Sequence, residues 1–279
     1  MNETWLLLDC SYLCWRAFHS TGHLQYGADP TGVIYGFLKA LKALQARFQT
    51  MRTVFAWDTP SPSKRAELYP AYKANRLKES WTEKQREERN GVRWQMNELY
   101  AGIVPGLGYR NNLSEDGYEA DDLIASVVKH SLPIGDNAVI VSADHDFYQL
   151  ISDNVTVWHP GREGAGVLMT TALLKSSLKV EPEKWPMVKA LAGCSSDNIP
   201  GVEGIGELTA IKYLNGQLMQ ASKAYQKAWH ADEIISRNLL LVTLPFPGCP
   251  TFELEEDRLH PSFWREVCQE YGLDSLVNS

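Results

Sequence analysis

Two acidic clusters stand about two dozen residues apart in this chain of 279 residues. Glu119-Ala-Asp-Asp122 opens an apolar helical run, and Asp144-His-Asp146 ends an apolar strand. Clustered carboxylates repel one another and lose hydration on folding, so stability alone does not favour them. Carboxylate oxygens suit magnesium and manganese, and paired ions of this kind drive phosphoryl chemistry. The clusters therefore predict a metal-dependent phosphodiester enzyme.

The elements that must position these acids alternate along the chain. Segments rich in aliphatic and β-branched residues predict buried strands over 5–9, 53–58, 108–113 and 138–143. Helical patterns cover 33–48, 86–103 and 121–130. This alternation predicts an α/β fold with a mostly parallel central sheet flanked by helices.

Three of the acids, Asp9, Asp58 and Asp144, follow predicted strands directly. Open α/β sheets bind their ligands at the carboxyl ends of the strands. We therefore expect these three carboxylates to converge on one rim of the sheet, with Glu119 and Asp146 close by.

The net charge of −7 hides an uneven distribution. Residues 64–93 carry nine Lys and Arg against five Glu, a balance of +4, which leaves −11 for the remainder. A basic segment on an acidic body suits a protein that binds phosphates in one place and metals in another. The charged stretch over about 61–93 interrupts the α/β pattern. It predicts a helical insertion over the rim, and a solvated pair of surface helices remains the alternative.

Composition sets limits on the class of protein. Apolar content is 44%, enough to fill one large core or two modest ones. No run approaches roughly 18 apolar residues, so neither a membrane span nor a membrane partner is expected. The five cysteines form an odd, scattered set, which favours reduced thiols and a cytoplasmic location.

Glycine-rich turns mark the second half of the chain. Residues 155–171 predict a β-hairpin with a tip at 161–166, and a helical region is expected beyond a boundary near 180. Gly201-Val-Glu-Gly-Ile-Gly206 before a helical run has the form of a helix–hairpin–helix. Gly201, Gly204 and Gly206 permit tight turns and leave N–H groups exposed at a helix start, where they bind phosphate without reading bases.

Six ordered motifs resemble the 5′ nuclease, or flap endonuclease, family. They are Asp9 after an apolar strand, Ala56-Trp-Asp58, Tyr69-Pro-Ala-Tyr-Lys-Ala-Asn-Arg76, Glu119-Ala-Asp-Asp122, Asp144-His-Asp146 and Ser196-Asp-Asn-Ile-Pro-Gly-Val-Glu-Gly-Ile-Gly206. The resemblance covers about 4–245 and is closer to bacteriophage 5′–3′ exonucleases and the N-terminal nuclease domain of bacterial DNA polymerase I. It implies a PIN-like metal-dependent core over 1–180, with a helical arch at about 61–93, and a helical region over 181–279 that contains the helix–hairpin–helix.

The resemblance also implies two divalent ions, Mg²⁺ or Mn²⁺, bound to carboxylates. The first ion would be held by Asp9, Asp58, Glu119, Asp121 and Asp144. The second would be held by Asp122, Asp146 and Asp197, with Asp144 between the two sites.

DNA contacts follow from the same resemblance. Lys73 and Arg76 would bind the scissile phosphate as catalytic residues, and Arg16 and Lys189 would contact other phosphates. Tyr72 would stack on unpaired bases, as would Tyr69 and Trp81, although packing beneath the insertion is an equal alternative for these rings. The hairpin would hold duplex DNA and a potassium ion.

Four positions depart from the family pattern. Cys194 stands where many relatives have an Asp of the second metal site, and a thiol is a poor magnesium ligand. We therefore expect weaker binding of the second metal, or a larger role for manganese. Glu207 and Leu208 replace a lysine-bearing segment, which predicts a looser grip on the duplex. His145 replaces a glycine and is read either as a substrate contact or as a turn residue.

The implied function is a two-metal 5′–3′ exonuclease and flap endonuclease acting on DNA with a 5′ single-stranded flap or end next to duplex. The chain is expected to act as a monomer, with replication proteins as candidate partners. Two alternatives remain open: a PIN-type or RNA-primer-removing ribonuclease, and a catalytically weak DNA-binding scaffold.

Overall fold

A six-stranded sheet forms the centre of the molecule, which a computed structural model describes over residues 2–76, 81–161 and 165–277. Its strands are β1 (Thr4–Asp9), β4 (Thr53–Ala56), β5 (Asn112–Leu113), β6 (Asn137–Val141), β7 (Val155–His159) and β8 (Val167–Met169). They lie in the order β5-β4-β1-β6-β7-β8, and only β8 runs antiparallel to its neighbour. Two short pairs complete the strands: β2 (Gln25–Tyr26) with β3 (Asp29–Pro30), and β9 (Gly193–Cys194) with β10 (Ile199–Pro200).

Helices cover both faces of the sheet. In the described part of the chain they are α1 (Cys10–Thr21), α2 (Gly32–Phe48), α3 (Lys64–Leu68), α4 (Glu83–Glu98), α5 (Val104–Gly106), α6 (Ala120–Ser126), α7 (Thr171–Leu178), α8 (Trp185–Ala192), α9 (Glu207–Leu214), α10 (Lys223–Trp229), α11 (Asp232–Val242), α12 (Pro261–Glu270) and α13 (Asp274–Val277). The predicted α/β class is confirmed. No described helix is both long and apolar enough to cross a membrane.

Strand β1 shows why the central strands are apolar throughout. Leu6 and Leu8 enter the core shared with α1 and α2, whereas Trp5 and Leu7 enter the core on the opposite face with α6. Successive residues of a strand point to opposite faces, so a sheet covered on both sides needs a continuous apolar run. The charged residues are thereby confined to the strand ends.

Some predicted boundaries differ from the structure. The segment predicted as a strand over 108–113 pairs only at Asn112–Leu113, because Gly108 turns the chain with φ +96°. The helix predicted from residue 86 begins earlier, where Thr82 and Gln85 form a capping box. The predicted hairpin is present as β7 and β8, but 162–164 at its tip lie outside the described residues, as do 77–80 of the predicted arch.

The end of the chain packs back on the first half. Asn111 donates from Nδ2 to the Glu255 carbonyl at 2.9 Å, and the Arg258 N–H donates to the Gly108 carbonyl at 2.8 Å. Cys268 of α12 is buried in the core that contains α2. The division at residue 180 stays a prediction, and the last part of the helical region lies against the sheet domain.

Candidate metal centre

Adjacent strands deliver two acids to the same rim. Asp9 ends β1 and caps α1, where its Oδ1 accepts the Tyr12 N–H at 3.0 Å. Asp58 follows the neighbouring strand β4, and its Oδ1 accepts the Ala120 N–H at 2.9 Å at the start of α6. Each carboxylate is therefore fixed in place by a backbone donor to its Oδ1.

The third strand of this group, β6, supplies Asp144 and Asp146 through the turn that follows it. Asp144 accepts the Asp146 N–H on Oδ1 at 2.8 Å and caps the short helical turn over His145–Leu150. Ser142, which the sequence did not single out, donates to Asp9 Oδ2 at 2.8 Å and accepts the Asp144 N–H at 3.1 Å. Its place two residues before Asp144 ties the ends of β1 and β6 together.

Glu119 is the N-cap residue of α6 and binds two side chains of the basic segment. Lys73 donates to its Oε1 and Tyr72 to its Oε2, each at 2.6 Å. Burial alone would raise the pKa of Glu119, but the Lys73 and Arg65 charges outweigh burial and lower that pKa. Glu119 is therefore anionic and links the acidic rim to the basic segment.

The neighbours Asp121 and Asp122 have opposite surroundings. Asp122 is fully buried, and Arg65 binds both of its oxygens, at 2.6 and 2.8 Å. The Phe246 N–H donates to the same carboxylate at 2.7 Å. Both Asp122 oxygens are therefore already bound by protein donors, and Asp122 is not part of the group that contains Asp146 and Asp197. The predicted role of Asp122 as a ligand of the second metal does not match this geometry. Sequence reasoning missed Arg65, which it grouped with the surface charges of the arch.

The surroundings of the Asp121 carboxylate would favour a bound cation. Its Oδ1 is buried without a hydrogen-bond partner in the described structure. Burial and the Asp122 charge raise the pKa of Asp121 well above its usual range. A buried carboxylate without a donor is costly unless a cation neutralises it. The donor set of the rim thus fits the hard divalent ions that prefer carboxylate oxygens.

A second group lies beside the first. Oxygens of Asp146 and Asp197 and the Cys194 sulfur all lie within 4.8 Å of one another. Burial and the Asp144 charge raise the pKa of Asp146 to about 6, although Lys189 opposes the shift. The Asp144 charge also raises the pKa of Asp9. Asp144 lies between the two groups, because it accepts the Asp146 N–H and its own N–H binds the Ser142 hydroxyl that donates to Asp9.

The cations expected to bind DNA face the acids. Arg76 donates to Asp197 Oδ1 at 2.7 Å, and Lys73 Nζ lies 3.9 Å from the same oxygen. A cavity of about 200 Å³ is lined by both cations together with Asp58 and Glu119. Lys73 and Arg76 thus stand at the mouth of the metal centre.

Three other expected DNA contacts have protein partners. Lys189 is buried, 3.1 Å from Asp146 Oδ1 and 3.3 Å from Glu207 Oε1. Arg16 donates to the Pro160 and Gly161 carbonyls. Tyr72 is 7% exposed and bonded to Glu119, so the packing alternative describes its ring better than base stacking.

A larger cavity of about 610 Å³ lies beside Asp58 and is lined in part by Trp81, Arg89 and Arg93 of the segment predicted as an arch. Three tryptophans line it, and Arg89 sits over two of them, 4.1 Å from the Trp81 ring and 5.0 Å from the Trp15 ring. Aromatic faces together with guanidinium groups bind unpaired nucleobases without sequence preference. Trp81 therefore remains a base-stacking candidate.

The predicted helix–hairpin–helix is formed by α8, the glycine turn and α9. Gly204 has φ +79°, and a Cβ on Gly201 would lie 2.2 Å from the Ala192 carbonyl carbon. Gly206 precedes α9 with open space at its missing Cβ. The turn thus requires glycine at 201 and 204 and leaves an open backbone surface at 206 for a phosphate.

The acidic rim predicts how the metal-free protein responds to pH. Desolvation, with the Asp58 and Asp144 charges, raises the pKa of Asp9 to about 7. Because the folded state holds this proton more tightly than the unfolded chain, stability is lost as pH rises between about 4 and 7. Urea unfolding in EDTA should therefore show wild type losing stability relative to Asp9→Asn from pH 5 to pH 8. Saturating Mg²⁺ should reverse this loss, and a pH-independent difference between the two proteins would contradict the account.

Comparisons with known proteins identify relatives of this chain. The family model described as the 5′-3′ exonuclease N-terminal resolvase-like domain matches residues 4–179. The thermostable DNA polymerase I of Thermus aquaticus is 38% identical over 213 residues, which cover 75% of this chain and 23% of the polymerase. The chain thus spans about a quarter of the length of the curated relatives it matches.

Solved structures share the fold over the full length. Bacteriophage T5 5′-exonuclease with bound zinc aligns with a TM-score of 0.73 and 22% identity, covering 99% of this chain and 97% of its own. The T5 flap endonuclease in a pseudo-enzyme–product complex with DNA and metal ions aligns with a TM-score of 0.74 and 21% identity, with the same coverage. The resemblance drawn from the six motifs is confirmed, and the chain belongs to the 5′-3′ exonuclease family.

Proposed function

We propose that this protein is a metal-dependent 5′ nuclease that hydrolyses DNA phosphodiesters at 5′ ends and at junctions of single strand with duplex. One observation carries the proposal: the cavity lined by Asp58 and Glu119 is also lined by Lys73 and Arg76. Metal-binding acids and phosphate-binding cations thus face a single space. The family and its metal-containing, DNA-bound structural relatives support the same reading.

The acids of the rim would hold two divalent ions, which we propose to be Mg²⁺ or Mn²⁺. The residues concerned are Asp9, Asp58, Glu119, Asp121, Asp144, Asp146 and Asp197. When bound, such ions supply activation of a water and stabilisation of charge on the leaving oxygen.

Basic and hydrogen-bonding side chains of this protein would position the substrate phosphate and the metal-binding carboxylates. Lys73 Nζ and the Arg76 guanidinium would orient the scissile phosphate and offset the negative charge that develops on it. Tyr72 and Arg65 both contact Oε2 of Glu119 and would hold this carboxylate in position. Arg76 lines the phosphate cavity and the aromatic cavity alike, so the two spaces are neighbours.

Two flanking surfaces account for the preference for junctions. The aromatic cavity beside Asp58 would stack unpaired bases of the 5′ strand. The turn at 201–206 would bind duplex phosphates without reading sequence, so DNA binding should weaken steeply with salt. We also propose a potassium ion at this turn, action as a monomer, replication proteins as partners, and a cytoplasmic location consistent with five free cysteines.

A substrate panel tests this function. Purified protein with Mg²⁺ or Mn²⁺ should cut a 5′ flap and a 5′ overhang and release 5′-phosphorylated DNA, and EDTA should abolish the reaction. An RNA flap and a blunt duplex serve as comparisons. Preference for the RNA flap would favour the ribonuclease, and junction binding without cleavage in either metal would favour the scaffold.

A further inference from the structure

We propose that the site formed by Asp146, Cys194 and Asp197 selects a thiophilic divalent cation such as zinc over magnesium. The inference rests on the proposed function, because it concerns the second metal position of that nuclease. The carboxylate rim around Asp9 remains a site for hard ions such as Mg²⁺, which prefer oxygen ligands.

The geometry of the three donors fits a small tetrahedral ion. Cys194 ends β9, Asp197 ends the helical turn directly after it, and Asp146 comes from the turn after β6. Their donor atoms lie within 4.8 Å of one another. Zinc bonds of about 2.0–2.3 Å place tetrahedral donors about 3.5 Å apart, so small side-chain rotations would close the site.

The Asp146 carboxylate provides an independent indication of a missing ligand. Asp146 is 8% exposed, and its buried Oδ1 accepts no hydrogen bond among the described residues. The Lys189 Nζ forms an ion pair with this Oδ1 at 3.1 Å and a second one with Glu207 Oε1 at 3.3 Å. If a cation bound at Asp146 Oδ1, the buried Lys189 ammonium would still have Glu207 as its counter-charge.

The Cys194 sulfur determines which class of cation the site prefers. Thiolate is a soft ligand that favours zinc, cadmium and cobalt, whereas magnesium requires oxygen donors. One sulfur and two carboxylates supply three protein ligands, and a fourth position remains for water or a phosphate oxygen, as in catalytic zinc sites. The Ser196 hydroxyl, 3.0 Å from Cys194 Sγ, can donate a hydrogen bond to the thiolate.

Cadmium provides a direct spectroscopic test, because a cadmium–thiolate bond adds an ultraviolet charge-transfer band. Metal-free full-length protein titrated with Cd²⁺ should develop this band, and Cys194→Ser should lose it. Cys249→Ser is the matched control, since Cys249 is likewise free and half-buried, and this variant should keep the band. A wild-type titration without the band, or a band that persists in Cys194→Ser, would overturn the proposal.

Metal affinity provides the second test. In a competition with a chromophoric chelator, Cys194→Asp should weaken Zn²⁺ binding about tenfold or more, as for disrupted metal sites, while Mg²⁺ binding tightens. Unchanged Zn²⁺ affinity would contradict the selectivity. Neither test depends on catalysis. If the protein cuts DNA with Mg²⁺ but its Cd²⁺ titration shows no charge-transfer band, only the proposed zinc selectivity is overturned. A chain that shows the band but cuts no substrate overturns only the proposed nuclease.

Discussion

Asp144→Asn should reduce DNA cleavage at least about a hundredfold and leave DNA binding intact. The loss follows from the position of Asp144 between the two groups of acids: it accepts the Asp146 N–H, and its own N–H binds the Ser142 hydroxyl that donates to Asp9. Losing about 3 kcal/mol of transition-state stabilisation slows a reaction by about that factor. Single-turnover cleavage of a 5′ flap in Mg²⁺ measures the rate, and fluorescence anisotropy in Ca²⁺ measures binding.

The substitution is suited to this test because asparagine preserves the local structure. Asp144 caps its turn by accepting the Asp146 N–H, and an asparagine carbonyl can accept the same bond. Asp153→Asn removes one charge from an exposed position and is the control; it should cleave as wild type does. Undiminished cleavage by Asp144→Asn would exclude Asp144 from the metal centre, and lost DNA binding would assign it to substrate recognition.

The rim of acids could be predicted because it depends on simple features. Apolar runs mark the strands, and parallel strands bring their carboxyl ends to one edge, so Asp9, Asp58 and Asp144 had to lie on one rim whatever the helices do. The strand order β4-β1-β6 then places the three acids on adjacent strands. Periodicity and topology were sufficient for this part of the site.

The partners of individual charges could not be predicted in the same way. Lys189 and Arg16 were expected to contact phosphate, yet each binds protein atoms in the folded chain. Tyr72 was expected to stack on bases, yet it donates to Glu119. The partner of each of these side chains depends on distances between residues that are far apart in sequence, and a sequence motif does not contain those distances. DNA can still compete for Arg16, whose partners are backbone carbonyls.

The pair Asp121 and Asp122 shows the same limit within one helical turn. Successive helical residues point about 100° apart, so two adjacent acids have different surroundings. Sequence alone does not say which of them turns inward. Arg65, more than fifty residues earlier, decides this by binding both Asp122 oxygens and leaving Asp121 Oδ1 without a partner.

Asp121→Asn and Asp122→Asn should therefore change the stability of the metal-free protein in opposite directions. Asp122→Asn removes the carboxylate that binds Arg65 through both oxygens and leaves the buried guanidinium only its longer contact with Glu119, which should cost about 3 kcal/mol. Asp121→Asn removes a buried carboxylate whose raised pKa shows that its charge is disfavoured, so this variant should be more stable than wild type. Urea unfolding at pH 8 in EDTA measures both free energies.

Divalent metal makes the same pair diagnostic for ligation. Mg²⁺ should stabilise wild type by binding the folded state, and it should stabilise Asp121→Asn less, because one ligand is lost. Asp122→Asn should gain as much from Mg²⁺ as wild type does, since Arg65 already occupies its carboxylate in the native protein. Arg65→Met serves as a partner control and should destabilise the protein as Asp122→Asn does. If Asp122→Asn instead stabilises the metal-free protein and loses the Mg²⁺ effect, Asp122 is the ligand, and the ion pair with Arg65 yields to the metal.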